Sequence, residues 1–169
     1  MLVHLPLNPW RYIALWVAGF VLGGAMNFWP GIPTGFFAVV ALMWLQLEWV
    51  FQSARYAWHR LGAPDATISR HINLLRFLQI VSVGSVFIMT LAMNFSVPFL
   101  PPEDTSPFLV VGVLSAFIHY WLSARALRKA EGSRSGLRTI GTFLMFFYSP
   151  FFAPLIFVRL KRLPVLQAA

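Results

Sequence analysis

Long apolar stretches alternate with short polar links along this chain, and the pattern predicts helices that cross a lipid bilayer. A hydrocarbon core about 30 Å thick needs about 20 apolar residues, because an α-helix rises about 1.5 Å per residue. Four stretches reach or approach this length: Tyr12 to Trp29, Phe36 to Ala57, Phe77 to Val97 and Phe108 to Ala124. The predicted fold is therefore all-α, a polytopic membrane bundle of four transmembrane helices in a single membrane domain.

A fifth apolar stretch, Thr139 to Val158, is interrupted by Pro150 and Pro154. If it crossed the bilayer, the three basic residues that follow it would lie outside, where short loops carry few such residues. A turn at the two prolines would instead return the chain to the cytoplasmic face. We therefore predict that this part of the C-terminal region, 133–169, is re-entrant or interfacial rather than spanning.

Charges in the links orient the predicted helices. The first link, 30–35, has no charge, and the third, 98–107, has only Glu103 and Asp104. The second and fourth links are rich in basic residues, and the positive-inside rule places such links in the cytoplasm. The same rule places the N-terminus there too, while the compact chain without organelle signals favours a bacterial inner membrane. We expect the basic links to contact anionic lipid headgroups.

Composition supports a membrane location and excludes several kinds of chemistry. Apolar residues make up 59% of the chain and charged residues 11%, far from the composition of soluble domains. The net charge of +8 comes mostly from the links, so nucleic acid is not a predicted partner. The chain has no cysteine, which excludes disulfides, iron–sulfur clusters and cysteine nucleophiles.

No cofactor, metal site or catalytic residue is predicted. Of the four histidines, only His119 lies inside a predicted span, so two facing helices could not clamp a haem. His59, Asp65 and His71 share the second link but lack a recognised metal-ligand spacing. Neither a nucleophile elbow nor a phosphate-binding loop occurs. The sequence therefore leans away from an enzyme.

Two short strings recur in the same order and suggest an internal repeat. Residues 25–28 and 92–95 both read Ala-Met-Asn-Phe, and residues 53–55 and 123–125 both read Ser-Ala-Arg. A duplicated helical hairpin, with repeats 1–65 and 66–132, would explain the match; coincidence among common residues is the alternative. The repeat makes Asn27 and Asn94 equivalent positions that could bond a neighbouring helix. Gly19 and Gly23, four residues apart in an apolar helix, fit close helix packing.

Polar residues inside the predicted spans suggest a buried polar pocket in the cytoplasmic half of the bundle. Glu48 is the sole acidic residue within a span, and Gln52 and Arg55 follow it on one helical stripe. Gln79 and His119 would join them from the third and fourth helices. This pocket is either a relay or recognition site, or a hydrogen-bond network that determines which helices pair.

These features lead to two hypotheses for function. The first is a small non-catalytic membrane protein, an assembly subunit or immunity-type protein, that binds a partner in the bilayer. The rigid acidic outer loop that contains Pro101, Pro102, Glu103 and Asp104 is its candidate recognition surface. The second is an oligomeric transporter or channel with a polar path through Glu48 and His119. The first hypothesis predicts a protein partner and the second a homo-oligomer, and a membrane enzyme that acts on lipid ranks third.

Overall fold

A computed structural model describes residues 6, 8–26, 34–62, 64–95, 106–132 and 135–163 of the chain. Over these residues the α-helix is the only regular secondary structure, which confirms the predicted all-α class. The six helices are α1 (Pro9–Met26), α2 (Thr34–Arg60), α3 (Asp65–Phe95), α4 (Ser106–Ala130), α5 (Gly136–Phe147) and α6 (Ser149–Lys161). Three helical stretches, within α2, α3 and α4, are long and apolar enough to cross a membrane: Phe37–Arg60, Ala66–Ala92 and Ser106–Ala130.

Helix α2 is the central element of the bundle, because it contacts α1, α3, α4 and α6. The larger apolar core packs around Tyr12, Val50 and Tyr120, which come from α1, α2 and α4. A second, smaller core lies where α2 ends and α3 begins, and includes Phe51 and Trp58. This second core lets the polar ends of the long helices pack against one another.

Helices α2 and α4 end in the same way. Gly62 and Gly132 have positive φ angles of 63° and 71°, a conformation that glycine adopts without strain after the last turn of a helix. Each donates its N–H to the carbonyl three residues earlier, at 3.3 and 3.0 Å respectively. Ser53 and Ser123 each bond the carbonyl four residues earlier. Both pairs are 70 residues apart; the repeat itself stays a prediction.

The fifth apolar stretch forms two short helices, α5 and α6, with a break at Tyr148. The chain turns before Pro150 rather than between the two prolines. Pro150 lies in the first turn of α6, where a residue without an N–H sacrifices no helical hydrogen bond. Pro154 lies inside α6. The turn expected between the prolines is therefore displaced to their N-terminal side.

Helices α5 and α6 fold back on each other as a hairpin. Arg159 of α6 donates from Nη2 to the Thr142 hydroxyl at 3.1 Å and from Nη1 to Met145 Sδ at 3.4 Å. Both of these partners lie on α5. The same guanidinium bonds Glu131, one residue beyond α4. The end of α6 therefore returns to the end of the bundle at which α4 terminates.

The tip of this hairpin is held by polar side chains of α1 and α2. Gln46 of α2 donates from Nε2 to the Phe147 carbonyl at 2.7 Å. Tyr12 of α1 shares a buried hydrogen bond of 2.9 Å with Ser149. A helix break leaves backbone carbonyls without their intrahelical partners, and such groups are costly when buried. Gln46 supplies one of the missing donors.

Candidate functional site

Glu48 lies at the centre of a hydrogen-bond cluster between α2 and α3. Its Oε2 accepts from Arg76 Nη1 at 2.5 Å and from Gln79 Nε2 at 3.1 Å. Its Oε1 accepts from Gln52 Nε2 at 2.7 Å. Arg76 Nη1 also donates to Gln79 Oε1 at 2.9 Å. We call Glu48, Gln52, Arg76 and Gln79 the Glu48 cluster; it contains three of the five residues assigned to the polar pocket.

The local geometry follows from helix periodicity. Gln52 lies one turn beyond Glu48 on α2, and Gln79 lies one turn beyond Arg76 on α3, so each pair shares a helix face. The Arg76 guanidinium also lies 4.0 Å from the centroid of the Phe51 ring, where the ring quadrupole attracts a cation. The side chains of Arg76 and Glu48 remain 37% and 28% exposed. The ion pair is thus only partly screened by solvent.

Arg76, rather than Arg55, supplies the cationic partner of Glu48. The half-buried Arg55 lies on α2 and is not among the side chains that bond the carboxylate. In the sequence, Arg76 directly precedes the third predicted span, Phe77 to Val97, and was not assigned to the pocket. Opposite charge on a neighbouring span was the signal that could have identified it.

His119 is fully buried on α4, next to but not within the Glu48 cluster. Both of its ring nitrogens lack a hydrogen-bond partner within the part of the chain that the structure describes. The ring interacts electrostatically with Arg76 and with Glu48, and it meets the ring of Tyr120 edge-on, with centroids 6.1 Å apart. Buried polar nitrogens normally have hydrogen-bond partners, and among the described residues His119 departs from that rule, as do Nε and Nη2 of Arg128.

A second charged cluster ties α6 to α4 and was missed from the sequence. Glu131 accepts from Arg128 Nη1 at 2.6 Å and from Arg159 Nε and Nη2, both at 2.7 Å. The two Arg159 bonds form a bidentate contact, the strongest geometry of this pair. The sequence did not determine whether the fifth apolar stretch spans the membrane or re-enters it. No pattern therefore paired Glu131 with Arg159, which lie 28 positions apart.

Of the four residues assigned to helix packing, the structure describes Gly19 and Gly23 in full. Gly19 of α1 faces Leu42 of α2: a Cβ on Gly19 would lie 2.8 Å from Leu42 Cδ2. Gly23 is buried. Asn94 lies in α3, but its side chain is outside the described part of the structure, as is the whole of Asn27. The outer-loop residues Pro101, Pro102, Glu103 and Asp104 also lie outside the described residues.

A close crossing of α3 and α4 is a packing site that the sequence did not reveal. Ser82 of α3 donates its hydroxyl to the Gly112 carbonyl of α4 at 2.7 Å. A Cβ on Gly112 would lie 3.2 Å from Ser85 Cβ. Small residues allow the two backbones to approach this closely, and the serine hydroxyl thus serves helix pairing.

The two carboxylates whose side chains the structure describes, Glu48 and Glu131, both join separate helices through ion pairs. No group of three or more histidine, aspartate or glutamate side chains among the described residues is placed to hold a metal ion. Comparison with protein-family models, curated proteins and solved structures finds no match to the chain. Its chemistry must be inferred from its own side chains.

Proposed function

We propose that this chain is an integral protein of a bacterial inner membrane that crosses the bilayer four times, with its N-terminus in the cytoplasm. The three long apolar stretches in α2, α3 and α4 support three of these spans. Helix α1, with 18 residues, would be the fourth. The basic residues at the ends of α2 and α4 support the orientation, because such residues are retained on the cytoplasmic side.

In this proposal α5 and α6 form a hairpin that enters from the cytoplasmic side and returns to it. The bidentate contact of Arg159 with Glu131 supports this course, because it keeps the end of α6 beside the end of α4. The hydrogen bond from Gln46 to the Phe147 carbonyl supports it as well. A broken helix at membrane depth requires protein donors of this kind.

Within that membrane we propose a non-catalytic interaction protein, an assembly subunit or an immunity-type protein that binds a partner in the bilayer. The observation that carries the proposal is the state of the two described carboxylates. Glu48 and Glu131 are each occupied by interhelical ion pairs, so they hold helices together. A carboxylate with a cationic partner on a neighbouring helix is the expected arrangement for a structural role in a span.

The test is purification of the tagged full-length chain in a mild detergent, followed by mass spectrometry of the complex. We expect one foreign subunit at fixed stoichiometry with the wild type. The variant E103K/D104K, which reverses the charge of the proposed recognition loop, should lose it, whereas the charge-reversed variant R70E at the cytoplasmic end should retain it. A homo-oligomer without a foreign subunit would contradict the proposal.

His119 favours the second candidate, an oligomeric transporter or channel with a polar path through Glu48 and His119. Its two ring nitrogens, buried and without described partners, are the kind of group that a proton path uses. The measurement is proton flux into proteoliposomes, read with an entrapped pH-sensitive dye. Flux that falls to the level of empty vesicles in H119A and E48Q would replace the first proposal with this one.

A further inference from the structure

A cavity of about 690 Å³ lies at the end of the bundle where α2 and α4 terminate. Its lining comes from α2, α3, α4, α5 and the turns that follow α2 and α4: Trp58, Leu61, His71, Leu122, Arg125, Arg128, Lys129, Gly132 and Thr139. Three of these residues are cationic, and no acidic residue is among them. A concave site with a few convergent charges on apolar walls is typical of a ligand site.

Arg128 is the buried charge of this cavity. Its side chain is only 11% exposed, and its Nη1 donates to Glu131. Its Nε and Nη2 are buried and have no hydrogen-bond acceptor within the described residues. Glu131 cannot supply that acceptor capacity alone, because it also holds Arg159 through two bonds. Arg128 therefore leaves an incompletely neutralised positive charge just beneath the cavity wall.

Lys129 and Arg125 add charge at the more exposed part of the lining. Lys129 Nζ lies 5.1 Å from the centroid of the Trp58 ring, and this cation–π contact holds the ammonium beside the cavity. The Trp58 ring in turn packs on His71, with centroids 4.3 Å apart. Aromatic packing therefore positions the Lys129 ammonium, whereas the Glu131 carboxylate positions Arg128.

In the proposed orientation the cavity lies at the depth of the headgroups. Helix α4 has 25 residues and is about 37 Å long, whereas the hydrocarbon core is about 30 Å thick. Its last turns, which carry Arg128 and Lys129, thus extend past the hydrocarbon on the cytoplasmic side. Basic pockets between helices at this level bind the phosphates of anionic lipids.

We propose that this cavity binds a phosphate group, with an anionic glycerophospholipid headgroup as its source. The phosphate oxygens would accept from the exposed side chains of Arg125 and Lys129, while the buried charge of Arg128 adds attraction from beneath the lining. The Leu122 and Trp58 side chains would contact the glycerol. The inference depends on the membrane orientation proposed above but not on any protein partner, so a failure here leaves the partner test untouched.

The experiment is native mass spectrometry of the full-length protein in detergent, titrated with phosphatidylglycerol, with phosphatidylcholine of the same acyl chains, and with glycerol 3-phosphate. The variant R125Q/K129Q removes two exposed charges and leaves Arg128 in place, which preserves the pair with Glu131. R70Q is the single-charge control, because Arg70 is also exposed but does not line this cavity. Lipid binding to R128Q is measured only if this variant has the same unfolding transition as the wild type.

We expect phosphatidylglycerol to bind more tightly than phosphatidylcholine, and R125Q/K129Q to weaken it about thirtyfold, since each basic residue contributes about 1 kcal/mol near anionic lipid. R70Q should change it less than threefold. If glycerol 3-phosphate binds as tightly as the lipid, the phosphate site stands and its source is a soluble compound. Equal binding of both lipids, or equal losses in R70Q and R125Q/K129Q, would overturn the proposal.

Discussion

Arg159 of α6 donates to Glu131 from two nitrogens, Nε and Nη2, each 2.7 Å from a different carboxylate oxygen. The contact joins the last turn of α6 to the turn that follows α4. Arg128 approaches the same carboxylate from the preceding turn. One acidic side chain thus joins three segments of the chain, in a region where basic residues are in large excess.

Replacing Glu131 with glutamine should destabilise the protein by about 2 kcal/mol, because it leaves Arg128 and Arg159 without a counter-charge in a mostly buried place. The measurement is the free energy of unfolding in detergent. K161Q is the matched control, since Lys161 is exposed near the end of the same helix and should cost less than 0.5 kcal/mol. Equal effects of the two changes would show that the Glu131 pairs contribute nothing.

The sequence predicted the class of the fold because apolar length is a direct consequence of bilayer thickness. It placed the second link at 58–76, however, whereas α2 continues to Arg60 and α3 begins at Asp65. Residues 58–60 and 65–76 of this link are helical because Phe51, Trp58 and Leu75 form a core of their own. A rule based on apolar stretches ends a helix at the edge of the lipid and cannot detect helical turns that continue beyond it.

Helix periodicity predicted which polar residues share a face but not how two helices meet. The spacing placed Gln52 beside Glu48, and the two side chains do bond. The bond between Arg76 and Glu48 depends instead on the relative depth of α2 and α3 and on their rotation. Packing of side chains such as Phe51 determines both the depth and the rotation. The spacing of residues in a single sequence reveals neither.

A double-mutant cycle between Glu48 and Arg76 should give a coupling energy of about 1 kcal/mol. The value is modest because Arg76 is 37% exposed, so solvent screens the pair. E48Q, R76Q and the double variant are compared by free energy of unfolding in detergent. In the control cycle R55Q replaces R76Q, and its effect should add to that of E48Q within about 0.5 kcal/mol. A larger coupling for Arg55 than for Arg76 would contradict the geometry of the cluster.

Two glycine substitutions should have opposite signs and so test the crossing of α3 and α4. At Gly112 a new Cβ would lie 3.2 Å from Ser85 Cβ and 3.3 Å from the Ser82 carbonyl oxygen, so the backbones would have to separate. At Gly84 a new Cβ would meet nothing within 4 Å. Alanine is favoured over glycine inside a helix by about 0.5–1 kcal/mol. G84A should therefore raise the melting temperature, whereas G112A should lower it by opening the crossing and weakening the Ser82 hydrogen bond. If G112A were as stable as G84A, the two helices would not pack through this glycine.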